Sequence, residues 1–273
     1  FMYRLMQPSD KAAVTELWQR ERGVSAEFVE TAIRRFAGEQ NVYVAEENDR
    51  IEAVALAVPV TLQGRPGNYL FGLCGQGSLI LAGLIDTLCA QQKLRGEGFT
   101  VAVPTSPEQT SLLQEKGFHK AFALRCLPRE VERNLWSQAD FDSVTAKKLC
   151  ELRARFWPDT VMLTPEQMAV VLGELYSRGA TIVSSERAYG IYFRKEDTLY
   201  FVEMMAEDDR SAEELMEAAR EKEVIVEKAV ITVGAAQNLF LGEGARQDYG
   251  MIRFEGEPFD VSESYLRLMM ENG

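Results

Sequence analysis

Between Leu73 and Gly83 an apolar strand ends, Gly75, Gly77 and Ser78 make a turn, and an apolar helix begins at Leu79. This order of residue types suits a phosphate. The first N–H groups of a helix have no partner within it, and the helix dipole adds charge favourable to an anion. Gly75 and Gly77 let a ligand approach the main chain closely, and Ser78 can cap the helix or bond a phosphate oxygen. The candidate cofactor-binding residues are therefore Leu73, Cys74, Gly75, Gly77, Ser78, Leu79, Ala82 and Gly83. No Lys or Arg lies among them, so the amides alone would do the holding. The same residues also suit a plain capped turn. A dinucleotide fingerprint is excluded, because Ile80 stands where a third glycine is required.

Other reactive side chains are sparse. His119 is the only histidine, which excludes triads and metal clusters built on several. Cys74, Cys89, Cys126 and Cys150 show no CxxC spacing and sit in apolar runs, so buried, reduced thiols and no metal site are expected. In the second half, Glu207, Asp208, Asp209, Glu213 and Glu214 crowd the start of the helix that follows the strand 199–205. Like charges there oppose a pyrophosphate, and Ser211 with Glu214 reads as a capping box. Glu203 in that strand is a candidate base, although a lone strand carboxylate more often lies on a solvated face.

The elements that must position these residues follow from periodicity and turn signals. Strands are expected at 2–7, 41–46, 51–62, 68–74, 99–104 and 119–127. Helices open at Ser9 or Asp10 and cover 25–38, 79–94 and 106–117, giving the order βααβββαβαβ. Residues 128–142 are polar and punctuated, and form the expected linker. A similar order then returns, with helices at 145–157, 165–178 and 211–222 and strands at 180–185, 188–194, 199–205, 228–233 and 248–254. A terminal helical piece is expected over 262–272. The domains are thus 2–127 and 143–273, each mixed α/β with a central sheet flanked by helices.

Charge narrows the partners. Thirty Lys and Arg against 42 Asp and Glu give a net charge of −12, which disfavours nucleic acid and anionic membrane surfaces. No apolar run approaches the ~20 residues of a membrane span. Phe1 ahead of Met2 is left out of the reading, no leader segment is expected before the first strand, and a cytoplasmic location is expected.

With these elements in place, the strand, turn and helix of residues 70–94, followed by "FTVAVP" and "LLQEKGF", resemble the GCN5-related N-acetyltransferase (GNAT) family. Element order carries the resemblance over residues 2–127 and more faintly over the second half, as in tandem acetyltransferase-like proteins. It implies acetyl-CoA as co-substrate, no metal, and a small-molecule amine or a peptide as acceptor. The family's pyrophosphate pattern is Gln or Arg, two residues, Gly, one residue, then Gly or Ala. The matching positions are Ser78, Leu81 and Gly83, so the cradle is degenerate. The Tyr that many members use as an acid corresponds to Leu113, and strand four offers no Glu as base; Tyr69 and Cys74 are the nearest protic side chains. The resemblance implies an N-acetyltransferase, or alternatively a non-catalytic binding or regulatory relative that has lost the CoA chemistry.

Overall fold

The structure, a computed structural model, describes residues 1–270. The chain forms two compact units, Phe1–Ala121 with Gly250–Asp260, and Phe122–Tyr249 with the segment from Val261 onward.

The first unit contains β1 (Met2–Leu5), α1 (Lys11–Arg22), α2 (Ala26–Thr31) extended by a π-helical turn over Ala32–Ala37, β2 (Val42–Glu47), β3 (Arg50–Leu62), β4 (Arg65–Gly75), α3 (Ser78–Leu94), β5 (Phe99–Ala102) and α4 (Pro107–Glu115). β1 to β4 pair antiparallel in sequence order, and β4 and β5 run parallel. The period of two along β3 decides which helix packs where. Ala53, Ala55 and Ala57 point to one face, and their small side chains admit Leu84, Ile85 and Leu88 of α3 closely. On the other face Trp18 of α1 meets Phe71 at 5.7 Å between ring centroids, and Phe36 meets Phe71 at 5.4 Å. Ser25 caps α2 by accepting from Phe28 N, as an N-cap serine should.

The second unit contains most of β6 (His119–Glu130), then β7 (Asp140–Phe141), α5 (Ala146–Phe156), α6 (Pro165–Ser177), β8 (Thr181–Ser184), β9 (Ala188–Lys195), β10 (Thr198–Ala206), α7 (Asp209–Lys222), β11 (Lys228–Gly234) and the first half of β12 (Ala245–Phe254). β7 to β10 pair antiparallel and β10 and β11 run parallel. The order β7-α5-α6-β8-β9-β10-α7-β11 thus repeats β1-α1-α2-β2-β3-β4-α3-β5. The sixth strand of each unit is not the one that directly follows in sequence. β5 pairs antiparallel with the Met251–Phe254 part of β12, and β11 pairs antiparallel with β6.

The segment 128–142 is partly strand, since Pro128–Glu130 belong to β6 and Asp140–Phe141 to β7. The terminal helical piece expected over 262–272 does not form over 262–270. That stretch is irregular, exposed at Ser262 and Glu263 and buried from Ser264 to Met270, with Tyr265 bridged to Thr160; Glu271 and Asn272 lie outside the described residues. Tyr265 stacks on Trp157 at 4.9 Å between ring centroids, so its ring is buried without a helix to present it. Among the described residues, no helix is long and apolar enough to cross a membrane.

Candidate functional site

The site begins at a bulge in β4. Cys74 faces Val54 and Phe71 faces Leu56, so Gly72 and Leu73 together oppose Ala55. Gly72 holds φ +63°, and Trp18 occupies the place a Cβ would need, so only glycine fits there. β4 pairs with β5 only through Asn68, Tyr69 and Leu70. Beyond them the two strands part and a cleft of about 630 Å³ opens. Leu73, Gly75 and Gln76 form one wall, Ser78 and Leu81 of α3 the end, and Thr105, Ser106, Gln109 and Leu112 the other side.

The turn itself differs from the sequence reading in three ways. Ser78 does not cap α3. Gly77 is the N-cap at φ +98°, it offers no side chain, and Ser78 is the first helical residue. The first helical bond runs from Leu81 N to Gly77 O, which leaves the amides of Ser78, Leu79 and Ile80 as first-turn donors. Second, two glycines serve packing. A Cβ on Gly75 would meet the Ala53 Cβ and the Glu52 carbonyl, and one on Gly83 would collide with the ring and hydroxyl of Tyr3. Gly75 at φ +142° and Gly77 at φ +98° both hold backbone conformations that favour glycine, whereas Gly83 is required by packing alone. Third, Ala82 and Leu81 lie partly buried against the α3 core, Cys74 is fully buried, and Leu79 is 79% exposed.

The fold supplies basic side chains that the turn lacks. The last turn of α1 brings Arg20, Glu21 and Arg22 to the cleft. Arg22 donates to Leu73 O at 2.8 Å, and Glu21 accepts from Gly75 N at 2.8 Å. More than fifty residues separate these partners along the chain. Residue pattern gives no signal for such a contact. The α4 end is built as its sequence suggests, with Ser106 accepting from Gln109 N and Gln109 accepting from Thr105 N.

Catalytic groups are few here. Leu113 is 1% exposed and belongs to the apolar core of α3 and α4. Tyr69 packs against Phe71, and neither Tyr69 nor Cys74 lines the cleft. Its carboxylates are Glu21 and Glu108. Burial pushes the Cys89 thiol up to about 12, so it is inert as a nucleophile. Among the described residues, no group of three or more His, Cys, Asp and Glu is placed to hold a metal ion.

The second unit fills the equivalent place with its own groups. Asp208, not Ser211, caps α7 by accepting from Ser211 N at 2.8 Å, and Ser211 is buried within the helix. Glu214 pairs with Arg210 rather than with the backbone, so the expected capping box is absent. Asp209 accepts from Phe240 N, and Glu207 pairs with Arg155. Glu203 is 0% exposed, against the solvated face read from sequence. It accepts from Arg153 at 2.5 and 2.6 Å, from Tyr189 at 2.5 Å and from Tyr265 at 2.9 Å. Burial, and then the Glu203 charge, raises the hydroxyl pKa of both Tyr189 and Tyr265. A carboxylate so fully engaged is a structural anchor, with no lone pair free to take a proton from a substrate.

Compared with known proteins, this architecture has clear counterparts. It is similar to a conserved protein of unknown function and probable N-acyltransferase from Enterococcus faecalis V583. The two share 13% identity with a TM-score of 0.74, over 99% of this chain and 74% of that one. It is similar to a GCN5-related N-acetyltransferase from Kribbella flavida, at 13% identity and a TM-score of 0.71, over 93% and 70%. A third counterpart is the GCN5-related N-acetyltransferase from Anabaena variabilis ATCC 29413, at 12% identity and 0.69, over 92% and 72%. The fold is that of the GCN5-related N-acetyltransferases. No family model and no curated protein sequence matches the chain.

Proposed function

We propose that the chain is an acyl-CoA-dependent N-acyltransferase whose cofactor site lies in the first unit, with an amine of a small molecule or peptide as acceptor. In this reading each unit is one acetyltransferase-like domain, and the second is closed. The observation that carries it is the fork between β4 and β5, which opens into a cleft ended by the uncapped first turn of α3 with Arg20 beside it. Donors of a helix start and a guanidinium suit a pyrophosphate. When bound, acyl-CoA would supply the thioester as acyl donor. Ser78, Leu79 and Ile80 would hold the phosphates by their amides. Leu73 and Gly75 offer a carbonyl and an amide along the fork, although both are engaged by α1. Glu21 and Glu108 are the carboxylates within reach of an incoming ammonium.

The buried Leu113 favours the second reading, a non-catalytic binding or regulatory protein. A leucine donates no proton to a departing thiolate.

Losing one charge-assisted contact costs about 1.5–3 kcal/mol. CoA is therefore expected to bind with a Kd on the order of tens of micromolar or weaker. Titration calorimetry with CoA tests this. Sub-micromolar binding refutes the weakened cradle, and no binding at millimolar CoA leaves the non-catalytic reading.

A further inference from the structure

In a strand, the N–H and C=O of one residue point the same way, and neighbours alternate. The Leu73 carbonyl is bound by Arg22 and the Gly75 amide by Glu21, both of α1 and not of β3, so these two groups face away from β3 on the side where β4 and β5 part. These two groups form one hydrogen-bonding rung, which an extended amide arm entering the fork would use as a strand uses its neighbour. Both are already taken, by Arg22 and Glu21. We propose that Glu21 and Arg22 form a side-chain clasp on the β4 edge, which must swing away before the pantetheine arm of acyl-CoA can enter. The proposal rests on the acyl-CoA reading of this cleft.

Three features support a clasp that moves by side-chain rotation alone. The helix beneath it is fixed, because Val14, Leu17 and Trp18 are buried and Trp18 packs tightly on Gly72. Glu21 and Arg22 themselves are only half-buried, at the last turn of α1 ahead of Gly23, which ends the helix at φ +66°. The second unit shows the carbonyl of the equivalent rung held by a buried side chain. Leu73 lies five residues ahead of Ser78, and Met204 five ahead of Asp209, where each crossover helix starts. The Met204 carbonyl accepts from the Gln237 side chain at 2.6 Å, and Gln237 is buried. One unit thus carries a buried side chain and the other a pair of half-exposed, charged side chains in the same position.

The test compares CoA with adenosine 3′,5′-bisphosphate, which carries nucleotide phosphates and no pantetheine arm, by titration calorimetry. Glu21→Ala and Arg22→Ala are expected to bind CoA roughly tenfold more tightly than the parent, about 1.4 kcal/mol, with bisphosphate affinity unchanged. Glu21→Gln, whose amide oxygen still accepts from Gly75 N, is expected to stay near the parent. Equal CoA affinity in all four proteins overturns the clasp and leaves the acyl-CoA reading standing. So does a parallel rise for both ligands in Glu21→Ala, since that reports only relief of charge repulsion. Absence of CoA binding in every protein overturns the clasp and the acyl-CoA reading together. Hydrogen exchange reads the rung directly and needs no ligand: the Gly75 amide should exchange slowly in the parent and faster in Glu21→Ala. Free exchange in the parent overturns the clasp. Should Glu21→Ala fail to fold, Arg22→Ala carries the calorimetric comparison.

Discussion

Gly83 shows how one residue type can serve two ends. In sequence it is the surviving glycine of a phosphate motif, but in the structure it makes room for Tyr3 of β1. Two opposing effects then set the outcome of Gly83→Ala. Alanine is favoured over glycine within a helix by about 1 kcal/mol, whereas overpacking typically costs about 1–3 kcal/mol. The variant is therefore expected to be less stable than the parent in urea unfolding. In a Tyr3→Ala background the sign should reverse, because the obstacle is gone. A destabilisation that persists there would mean that Tyr3 is not its cause. Glu203 is the stronger case. Arg153→Ala leaves its carboxylate buried without its main partner, and such breaks cost about 3–5 kcal/mol. A surface strand carboxylate, as the sequence suggested, would change stability by less than about 0.5 kcal/mol, so one denaturation curve separates the two.

Strand and helix identities were legible because they follow from local periodicity. The alternating alanines and branched residues of β3 and the Gly77 stop before α3 are visible in the letters. What escaped was set by contacts across sequence. The α1 side chains reach β4, and the segment 264–270 is buried as irregular chain rather than as one face of a helix. Cap positions slipped for a related reason. At α7 three acidic or hydroxyl residues compete as caps, and backbone geometry selects Asp208.

The start of β5 carries a pH-dependent group that depends on such cross-element packing. Glu97 accepts from Asn68 of β4 at 3.0 Å, and burial pushes its carboxyl up to about 7, against the pull of Asn68 and Arg95. A carboxyl raised on folding binds more protons folded than unfolded between the two pKa values. Its contribution is thus full below the ordinary value of 4.5 and is lost as pH rises through about 7. Glu97→Gln is expected to be more stable than the parent at pH 8, with a flatter profile from pH 5 to 8. Identical pH profiles for the two proteins would show that Glu97 does not titrate with folding.

At the scale of the whole molecule, a net charge of −12 works against any polyanionic ligand, so binding must come from local donors. The two units differ sharply in what they offer. In the first, the α3 start presents three first-turn amides, with Arg20 at the same cleft. In the second, the α7 start is filled by Asp208 and Asp209, and Glu207 stands before it. A ligand present at about 100 times its Kd stabilises the state that binds it by about 2.7 kcal/mol, and the residues it touches should show this in hydrogen exchange. With millimolar CoA, protection is expected at residues 75–82 and around Arg20–Arg22, and none at residues 207–211. Protection confined to 207–211 would place the anion at the closed unit, against its charge, and would overturn the assignment of the cofactor to the first. Raising the salt concentration sharpens the comparison. Contacts to Arg20 weaken with screening while amide contacts persist, so protection at residues 78–80 should outlast protection near Arg20 as ionic strength increases.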